Sequence, residues 1–177
     1  MKGRVEFQKN HASTGNKLTK FSTLYDSLFD NGMAYKNYDV NEGNFKSIKG
    51  WLIKFYNALL DTREEFAFNV SSEKTELKKQ TMLIEEVTWW GYAVLAKKMQ
   101  DSANWKQGLT TKMNKVVSLG NGISVDFWAK TNPDWHGSII KYSYNYITKQ
   151  AELTSQIYNS TYSRRKKQET VALKLFS

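Results

Sequence analysis

Apolar side chains recur every three to four residues through much of the chain, and this helical spacing is the strongest constraint on the fold. The widest apolar stripe covers residues 45–61 and predicts a helix there. Narrower stripes predict a helix over residues 18–30 and the longest helix over residues 72–99. A further predicted helix is capped by Ser102 and runs to Leu119.

The one proline of the chain, Pro133, directly follows Asn132. An asparagine side chain can accept a hydrogen bond from a free N–H at a helix start, and proline loses no hydrogen bond at the first helical position. The pair therefore predicts a helix that begins at Pro133, with Trp128 and Trp135 packing the entering chain against it. A last helix is predicted over residues 148–162.

Together these elements predict a mainly α-helical protein, a single multi-helix domain of about six helices that covers residues 1–177. Residues 1–17 are expected to form an irregular or extended entry, and residues 61–72 a loop. Residues 163–177 are expected to form a basic C-terminal tail. The sequence shows no fixed-period repeat and no linker that would separate two domains.

Residue types that carry catalysis or bind metals are scarce in this sequence. There is no cysteine, and the two histidines, His11 and His136, do not form a paired metal-binding motif. Glu85 and Glu86 are adjacent, so on a helix their side chains would point about 100° apart, which argues against a shared carboxylate dyad. We therefore expect neither a metal nor a cofactor, and no constellation of residues points to catalysis.

The sequence also indicates where the protein functions in the cell. No apolar run approaches the roughly 18 residues of a membrane span. The first residues lack the apolar core of a signal peptide, and the absence of cysteine is compatible with a reducing compartment. We expect a cytoplasmic protein.

Two glycine-containing segments share some features with phosphate-binding loops. Residues 118–122, Ser-Leu-Gly-Asn-Gly, lack the Gly-Lys-Ser/Thr string of a nucleotide loop and are predicted to terminate the preceding helix. Residues 13–17 offer free amides before the first helix, with Lys17 and Lys20 nearby, and form a second candidate anion site.

Positive charge is concentrated in the second half of the chain. The net charge is +9; residues 1–88 hold 13 basic and 12 acidic side chains, whereas residues 89–177 hold 13 and 5. A half with a net charge of +8 suits a polyanion-binding surface, because each phosphate contact releases condensed counterions. The same charge equally suits a solvated surface that aids solubility.

The cations best suited to contact phosphate lie late in the chain. Four are consecutive at the end of the predicted last helix, where they would also complement the helix dipole. Two others flank a tyrosine-rich run, whose rings could stack on bases or pack in the core. The six predicted nucleic-acid contacts are Arg164, Arg165, Lys166, Lys167, Lys141 and Lys149.

Three segments of the chain together resemble a known family: residues 9–25 with the string Asn-Lys-Leu-Thr-Lys-Phe-Ser-Thr-Leu-Tyr, residues 105–119, and residues 128–162 beginning with Trp-Ala-Lys-Thr-Asn-Pro-Asp-Trp. They are similar to the C-terminal half of the DndB-like proteins, the DGQHR-domain family associated with phosphorothioate DNA modification. The Asp-Gly-Gln-His-Arg string itself does not occur. The ParB-like N-terminal domain that carries it in the family would lie before Met1.

The resemblance implies a role in a bacterial DNA-modification system and its transcriptional control. With the basic second half, it predicts a non-catalytic regulatory or accessory module that binds DNA, as a duplex rather than a single strand. The alternative is a protein-interaction module of a phage or mobile element, in which an aromatic and basic surface binds an acidic partner. If the family resemblance holds, the missing N-terminal domain would cover apolar residues such as Val171 and Leu173; a protein partner is the other candidate.

Overall fold

The computed structural model describes residues 4–6, 17–29, 34–35 and 40–135, together with the backbone of residues 141–145 and 150–154. Within these residues the protein is mainly α-helical, as predicted from the sequence. The described part contains five α-helices rather than about six, and it adds three small two-stranded sheets.

The helices in chain order are α1 Phe21–Phe29, α2 Phe45–Asp61, α3 Ser71–Gln80, α4 Glu86–Met99 and α5 Trp105–Met113. The strands are β1 Val5–Glu6, β2 Thr19–Lys20, β3 Val116–Gly120, β4 Ile123–Asp126, β5 Lys141–Asn145 and β6 Gln150–Thr154. Single 3-10 turns span Glu64–Ala67 and Pro133–Trp135. β1 pairs with β2 in parallel, whereas β3–β4 and β5–β6 are antiparallel hairpins.

The core is built around α4, which is buried on nearly its whole circumference. A helix that is apolar all round belongs in an interior rather than on a surface. Trp89, Tyr92 and Leu95 are fully buried in it, and α1 packs along its side. α2, whose predicted bounds are confirmed, adds Phe55 to the core. The Trp51 Nε1–H donates to the backbone oxygen of Ala96 at 3.1 Å, which fixes α2 against α4.

The run from Trp128 to Trp135 packs into this core, and its predicted structural role is confirmed. Both tryptophans are fully buried, and their rings stack with centroids 6.2 Å apart. The Asn132 Oδ1 accepts the N–H of Asp134 at 3.1 Å, the hydrogen bond expected of a helix cap. The predicted helix at Pro133 is nevertheless wrong in length: one 3-10 turn ends at Trp135, and residues 136–140 lie outside the described part.

The predicted long helix over residues 72–99 is interrupted between α3 and α4. Thr81 is extended and forms an isolated antiparallel bridge with Ala129. The N–H of Met82 donates to the backbone oxygen of Trp128 at 2.8 Å, and the N–H of Lys130 donates to that of Gln80 at 2.8 Å. The backbone groups that would have continued the helix are therefore bonded to a distant segment, which makes α2 the longest described helix.

The predicted helix from residue 102 to Leu119 ends early, at Met113. Residues 116–126 form the β3–β4 hairpin, and the Gly120-Asn121-Gly122 segment is its turn rather than a helix terminator. Both glycines have positive φ, +88° and +75°, and Asn121 also lies in the left-handed region. Left-handed residues at a hairpin turn match the twist of the two strands, so this turn chemistry favours the hairpin.

The predicted last helix over residues 148–162 is also wrong where the backbone is described, because residues 150–154 form β6. In the β5–β6 hairpin Tyr142 pairs with Leu153, and Tyr144 pairs with Ala151. Tyrosines two residues apart suit a strand, in which alternate side chains share a face. The rest of that segment and the predicted basic tail at 163–177 lie outside the described residues.

Candidate functional site

The six predicted DNA contacts fall outside the part of the chain whose side chains are described. Lys141 is the first residue of β5, where the structure describes only the backbone. Lys149 and the four consecutive cations from Arg164 to Lys167 lie outside the described residues altogether. His11 and His136 do as well. These contacts therefore stay predictions.

α5 presents a polar face to solvent. Its exposed side chains, here called the α5 face, are Lys106, Gln107, Thr110, Thr111 and Asn114. Because successive helical residues are about 100° apart, these positions share one side of the helix. No acidic residue occurs anywhere in residues 102–125, which also contain Lys112 and Lys115. The α5 face is therefore a hydrogen-bonding surface on a segment that carries only positive charge.

The opposite side of α5 fixes the helix to the core. Leu109 and Met113 are fully buried, one turn apart. Trp105 is half-buried at the helix start and packs edge-on against Trp51 of α2, with ring centroids 4.8 Å apart. An apolar stripe on one side and a polar surface on the other give α5 a single orientation on the protein.

The C-terminal end of α5 is anchored by side chains from two other segments. The backbone oxygen of Met113 accepts hydrogen bonds from the Arg63 guanidinium at 3.0 Å and from the Trp128 Nε1–H at 2.9 Å. These donors satisfy a carbonyl that helix geometry leaves without an intrahelical partner. Both contacts span long stretches of sequence, so they hold α5 in place relative to the rest of the core.

Arg63 is in turn held by two carboxylates, Glu65 and Asp126. Burial opposes the positive charge on Arg63, but its hydrogen bonds to both carboxylates outweigh that effect and raise its pKa above the ordinary value. The hydrogen bond from Arg63 also lowers the pKa of Glu65. The three charges sum to −1, and the Arg63 guanidinium is already bonded to both carboxylates, so the network supports the end of α5 rather than offering an anion site.

The β3–β4 hairpin follows α5 after two residues and starts from a fixed base. The N–H of Phe127 donates to the backbone oxygen of Lys115 at 2.9 Å, and the Lys115 ammonium lies 5.2 Å from the Phe127 ring centre. Val116 at the base, and Leu119 and Ile123 near the turn, are 66, 44 and 57% exposed. The hairpin therefore extends the acid-free surface of α5 with an exposed apolar one.

A shallow groove of about 500 Å³ separates α2 from the start of α5. Lys54 and Asp61 line it from α2, and Trp105 and Lys106 line it from α5. The Lys106 ammonium lies 5.7 Å from the Trp105 ring centre. The groove therefore places a lysine and an aspartate of α2 beside the start of the α5 face.

A second cleft, of about 510 Å³, lies between the start of α1 and the helices α3 and α4. Lys74, 7% exposed, donates to the backbone oxygen of Lys17 at 2.6 Å. Burial, followed by the charges of Lys78 and Arg4, lowers the pKa of Lys74 to about 8. Of the predicted anion site at residues 13–17, only Lys17 belongs to the described residues, so that site stays a prediction.

The same cleft is less suited to an anion than its lysines suggest. Lys20, Lys74 and Lys78 line it, but so do the carboxylates of Asp26 and Glu86. Opposite charges in one cleft compensate each other and weaken the field on any bound anion. The groove beside the α5 face also contains a carboxylate, Asp61, but residues 102–125 themselves hold three lysines and no acidic residue, and for that reason we take the α5 face as the candidate for contact with phosphates.

Within the described residues, no group of three or more histidine, cysteine or acidic side chains is placed to hold a metal ion. None of the described helices is long and apolar enough to cross a membrane. The residues of the α5 face are hydrogen-bond donors and acceptors, without a nucleophile and base pair among them. Their side chains can form hydrogen bonds with a bound partner.

The α5 face was not among the sites predicted from the sequence, although a signal for it was present. The acid-free stretch between Asp101 and Asp126 is visible in the sequence. The tryptophan and the apolar residues of this stretch indicate its core side, whereas the exposed side becomes identifiable only once the end of α5 at Met113 is known.

A scan against protein-family models, a search of curated proteins and a search of solved structures found no match to this chain. The resemblance to DndB-like proteins therefore stays a prediction from the sequence segments. The candidate site is defined by its own geometry and charge.

Proposed function

We propose that this protein is a non-catalytic DNA-binding module that acts as a regulatory or accessory component of bacterial DNA modification. The observation that carries the proposal is the α5 face, an exposed polar helix surface within 24 residues, 102–125, that contain three lysines and no acidic residue. DNA phosphates attract such a surface, and releasing their counterions supplies binding free energy.

The distribution of charge along the chain supports the same function. Residues 89–177 carry the +8 net charge of the second half, and α5 with its flanks contributes three lysines and no acidic residue to it. Arg164, Arg165, Lys166 and Lys167 would add a second group of phosphate contacts. Two separate basic segments would allow one module to contact phosphates at more than one position along a duplex.

The proposed setting in DNA modification rests on the resemblance to DndB-like proteins. In that setting, the module would direct or regulate a modification machinery rather than perform the chemistry. The lack of a catalytic constellation among the described residues fits this division, since a binding module needs only contacts to DNA and to its partner.

The test is binding of a labelled duplex across a salt series. A variant with Lys106, Lys112 and Lys115 changed to glutamine should lower the slope of log affinity against log salt by about 2 to 3, because each phosphate contact contributes about 0.9. Alanine at the four cations from Arg164 to Lys167 should lower it by about 3 to 4 for the same reason.

The matched control removes the same charge from exposed lysines elsewhere: Lys46, Lys49 and Lys79 changed to glutamine. Its slope should change by less than about 1. If the unmodified protein binds no duplex at the lowest salt, or if the control variant loses as much as the α5 variant, the proposal is wrong.

A second function, a protein-interaction module, is favoured by an exposed aromatic row on α1. Phe21 and Tyr25 are 47 and 52% exposed, and their ring centroids are 6.0 Å apart. Aromatic side chains often anchor protein interfaces. A photo-crosslinking amino acid in place of Tyr25 should then capture a specific partner, whereas the same group in place of Ile53, 53% exposed on α2, should not. Identical adducts from both positions would contradict this function.

A further inference from the structure

We infer that α5 reads base edges in the major groove of duplex DNA through Gln107, Thr110 and Thr111. The inference rests on the proposed function and deepens it, because it assigns sequence recognition to one helix surface. Phosphate contact alone positions a protein on DNA, whereas contact with base edges specifies the sequence.

The dimensions of α5 fit this role. Its nine residues span about 13.5 Å along the axis, which corresponds to about four base pairs. The major groove, about 12 Å wide, admits an α-helix. Gln107, Thr110 and Thr111 project from one side at three- and four-residue spacing, so they can reach neighbouring base pairs while Leu109 and Met113 stay in the core.

The chemistry of the three side chains suits base recognition. The amide of Gln107 can donate to and accept from adenine at the same time, and a threonine offers a hydroxyl for hydrogen bonds and a methyl group for contact with thymine. None carries a charge that would bind every sequence equally. Asn114 has a different role: its side-chain amide donates to the backbone oxygen of Thr110 at 3.0 Å and closes the helix end.

Lysines lie at the two ends of this surface and leave its centre uncharged. Lys106 lies at the start of the α5 face and Lys115 directly follows its far end, whereas the half-buried Lys112 lies on the opposite side of the helix. A long, cationic side chain at the margin of a helix can reach the phosphates that border the groove. The α5 face therefore has an uncharged centre with cations at both ends, an arrangement complementary to a groove between two phosphate backbones.

α5 is also held rigidly enough for selective recognition. Trp105 packs on Trp51 at one end, and the Met113 oxygen accepts hydrogen bonds from Arg63 and Trp128 at the other. A binding surface on an anchored helix loses less conformational entropy on binding than one on a loop. Small differences between base pairs can then appear as differences in affinity.

The experiment is selection from a duplex pool that contains a randomised segment, followed by affinity measurements on the enriched and unrelated sequences. We expect an enriched motif of about four base pairs, with each bidentate contact contributing about 5- to 150-fold to discrimination. In a variant with Gln107, Thr110 and Thr111 changed to alanine, affinity for the enriched motif should fall by a larger factor than affinity for unrelated duplex, so that discrimination falls towards 1.

An altered-specificity variant excludes misfolding as the cause of that loss. Gln107→Lys should shift the preference at one position of the motif towards guanine, because lysine pairs with the guanine major-groove edge. A misfolded protein cannot produce a new preference at a single position. Circular dichroism of each variant checks that helix content is unchanged.

The outcomes separate the inference from the function on which it rests. Salt-dependent binding without an enriched motif would overturn base reading by α5 and leave DNA binding intact. A motif retained by the triple-alanine variant, or tighter binding to RNA or single strands than to duplex, would also overturn it. If no nucleic acid binds at low salt, the proposed function itself fails.

Discussion

Lys130→Met should destabilise the protein strongly, because it leaves the Glu85 carboxylate buried without its cation. The Lys130 Nζ lies 2.6 Å from the Glu85 Oε1, and the two side chains are 3 and 10% exposed. Removing one partner of such a pair costs about 3–5 kcal/mol of unfolding free energy. At roughly 2–4 °C per kcal/mol for a chain of this size, the melting temperature should fall by about 6–20 °C.

The structural origin of that loss can be isolated with a double variant. Lys130→Met combined with Glu85→Leu removes both charges and fills the space with apolar atoms, and such a replacement is often close to neutral. Its unfolding free energy should therefore return to within about 2 kcal/mol of the unmodified protein. Urea unfolding followed by tryptophan fluorescence gives these values by linear extrapolation.

Lys79→Met is the matched control for the same substitution at the surface. Lys79 also pairs with a glutamate, Glu76, at 3.2 Å, but these side chains are 68 and 56% exposed. Exposed ion pairs contribute at most about 1 kcal/mol. The reasoning is refuted if Lys130→Met loses no more stability than Lys79→Met. It is also refuted if the double variant loses as much stability as Lys130→Met and Glu85→Leu, each measured alone, lose together.

Three further predictions concern other contacts. Arg63→Met should lower the unfolding free energy at pH 7 by about 2–3 kcal/mol, because the charged hydrogen bonds of Arg63 are lost. Arg63 keeps the pKa of Glu65 below 4.5, so the difference in unfolding free energy between the variant and the unmodified protein, measured in urea, should narrow as the pH falls below about 4. Lys74, with its pKa lowered from 10.5 to about 8, should make the unmodified protein more stable relative to Lys74→Met as pH rises from 8 to 10, in thermal melts. Gly122→Ala, at φ +75°, should cost about 1–2 kcal/mol in urea unfolding.

Each of these has a contradicting result. A difference between Arg63→Met and the unmodified protein that is constant from pH 7 to pH 3 would exclude the contribution of Glu65. A pH-independent effect of Lys74→Met would show that its ammonium is not desolvated in the folded protein. For the glycine turn, the control is Gly50→Ala on α2, where an added Cβ would meet no neighbouring group within 4 Å. This control variant should be more stable than the unmodified protein by up to about 1 kcal/mol. Equal changes in unfolding free energy for Gly122→Ala and Gly50→Ala would refute the argument from positive φ.

The best sequence predictions concerned helices whose own side chains decide their structure. α2 has the bounds that its apolar stripe predicts, and α1 lies within its predicted range. The structural assignment of Trp128 and Trp135 is confirmed because large aromatic residues gain most from burial. In each case neighbouring residues supply the pattern, so no knowledge of distant contacts is needed.

The predictions failed where a distant segment competes for the backbone. Residues 81 and 82 leave the helical conformation because residues 128–130 pair with this part of the chain through hydrogen bonds. The segment after Met113 becomes a hairpin because the left-handed turn at Gly120 and Gly122 allows pairing with β4. Helical propensity is a weak preference that such pairings readily override.

Some features of the candidate site could likewise be predicted from the sequence, and others depend on the tertiary structure. The sequence by itself determined the charge asymmetry, the acid-free stretch between Asp101 and Asp126, and the helical character of the body, because these depend only on which residues are near one another along the chain. Only the tertiary structure decided which side of α5 faces solvent and which residues hold its end. Those features depend on Arg63 and Trp128, which reach Met113 from 50 and 15 residues away. Packing and hydrogen bonding bring such separated groups together, and local periodicity carries no information about that pairing.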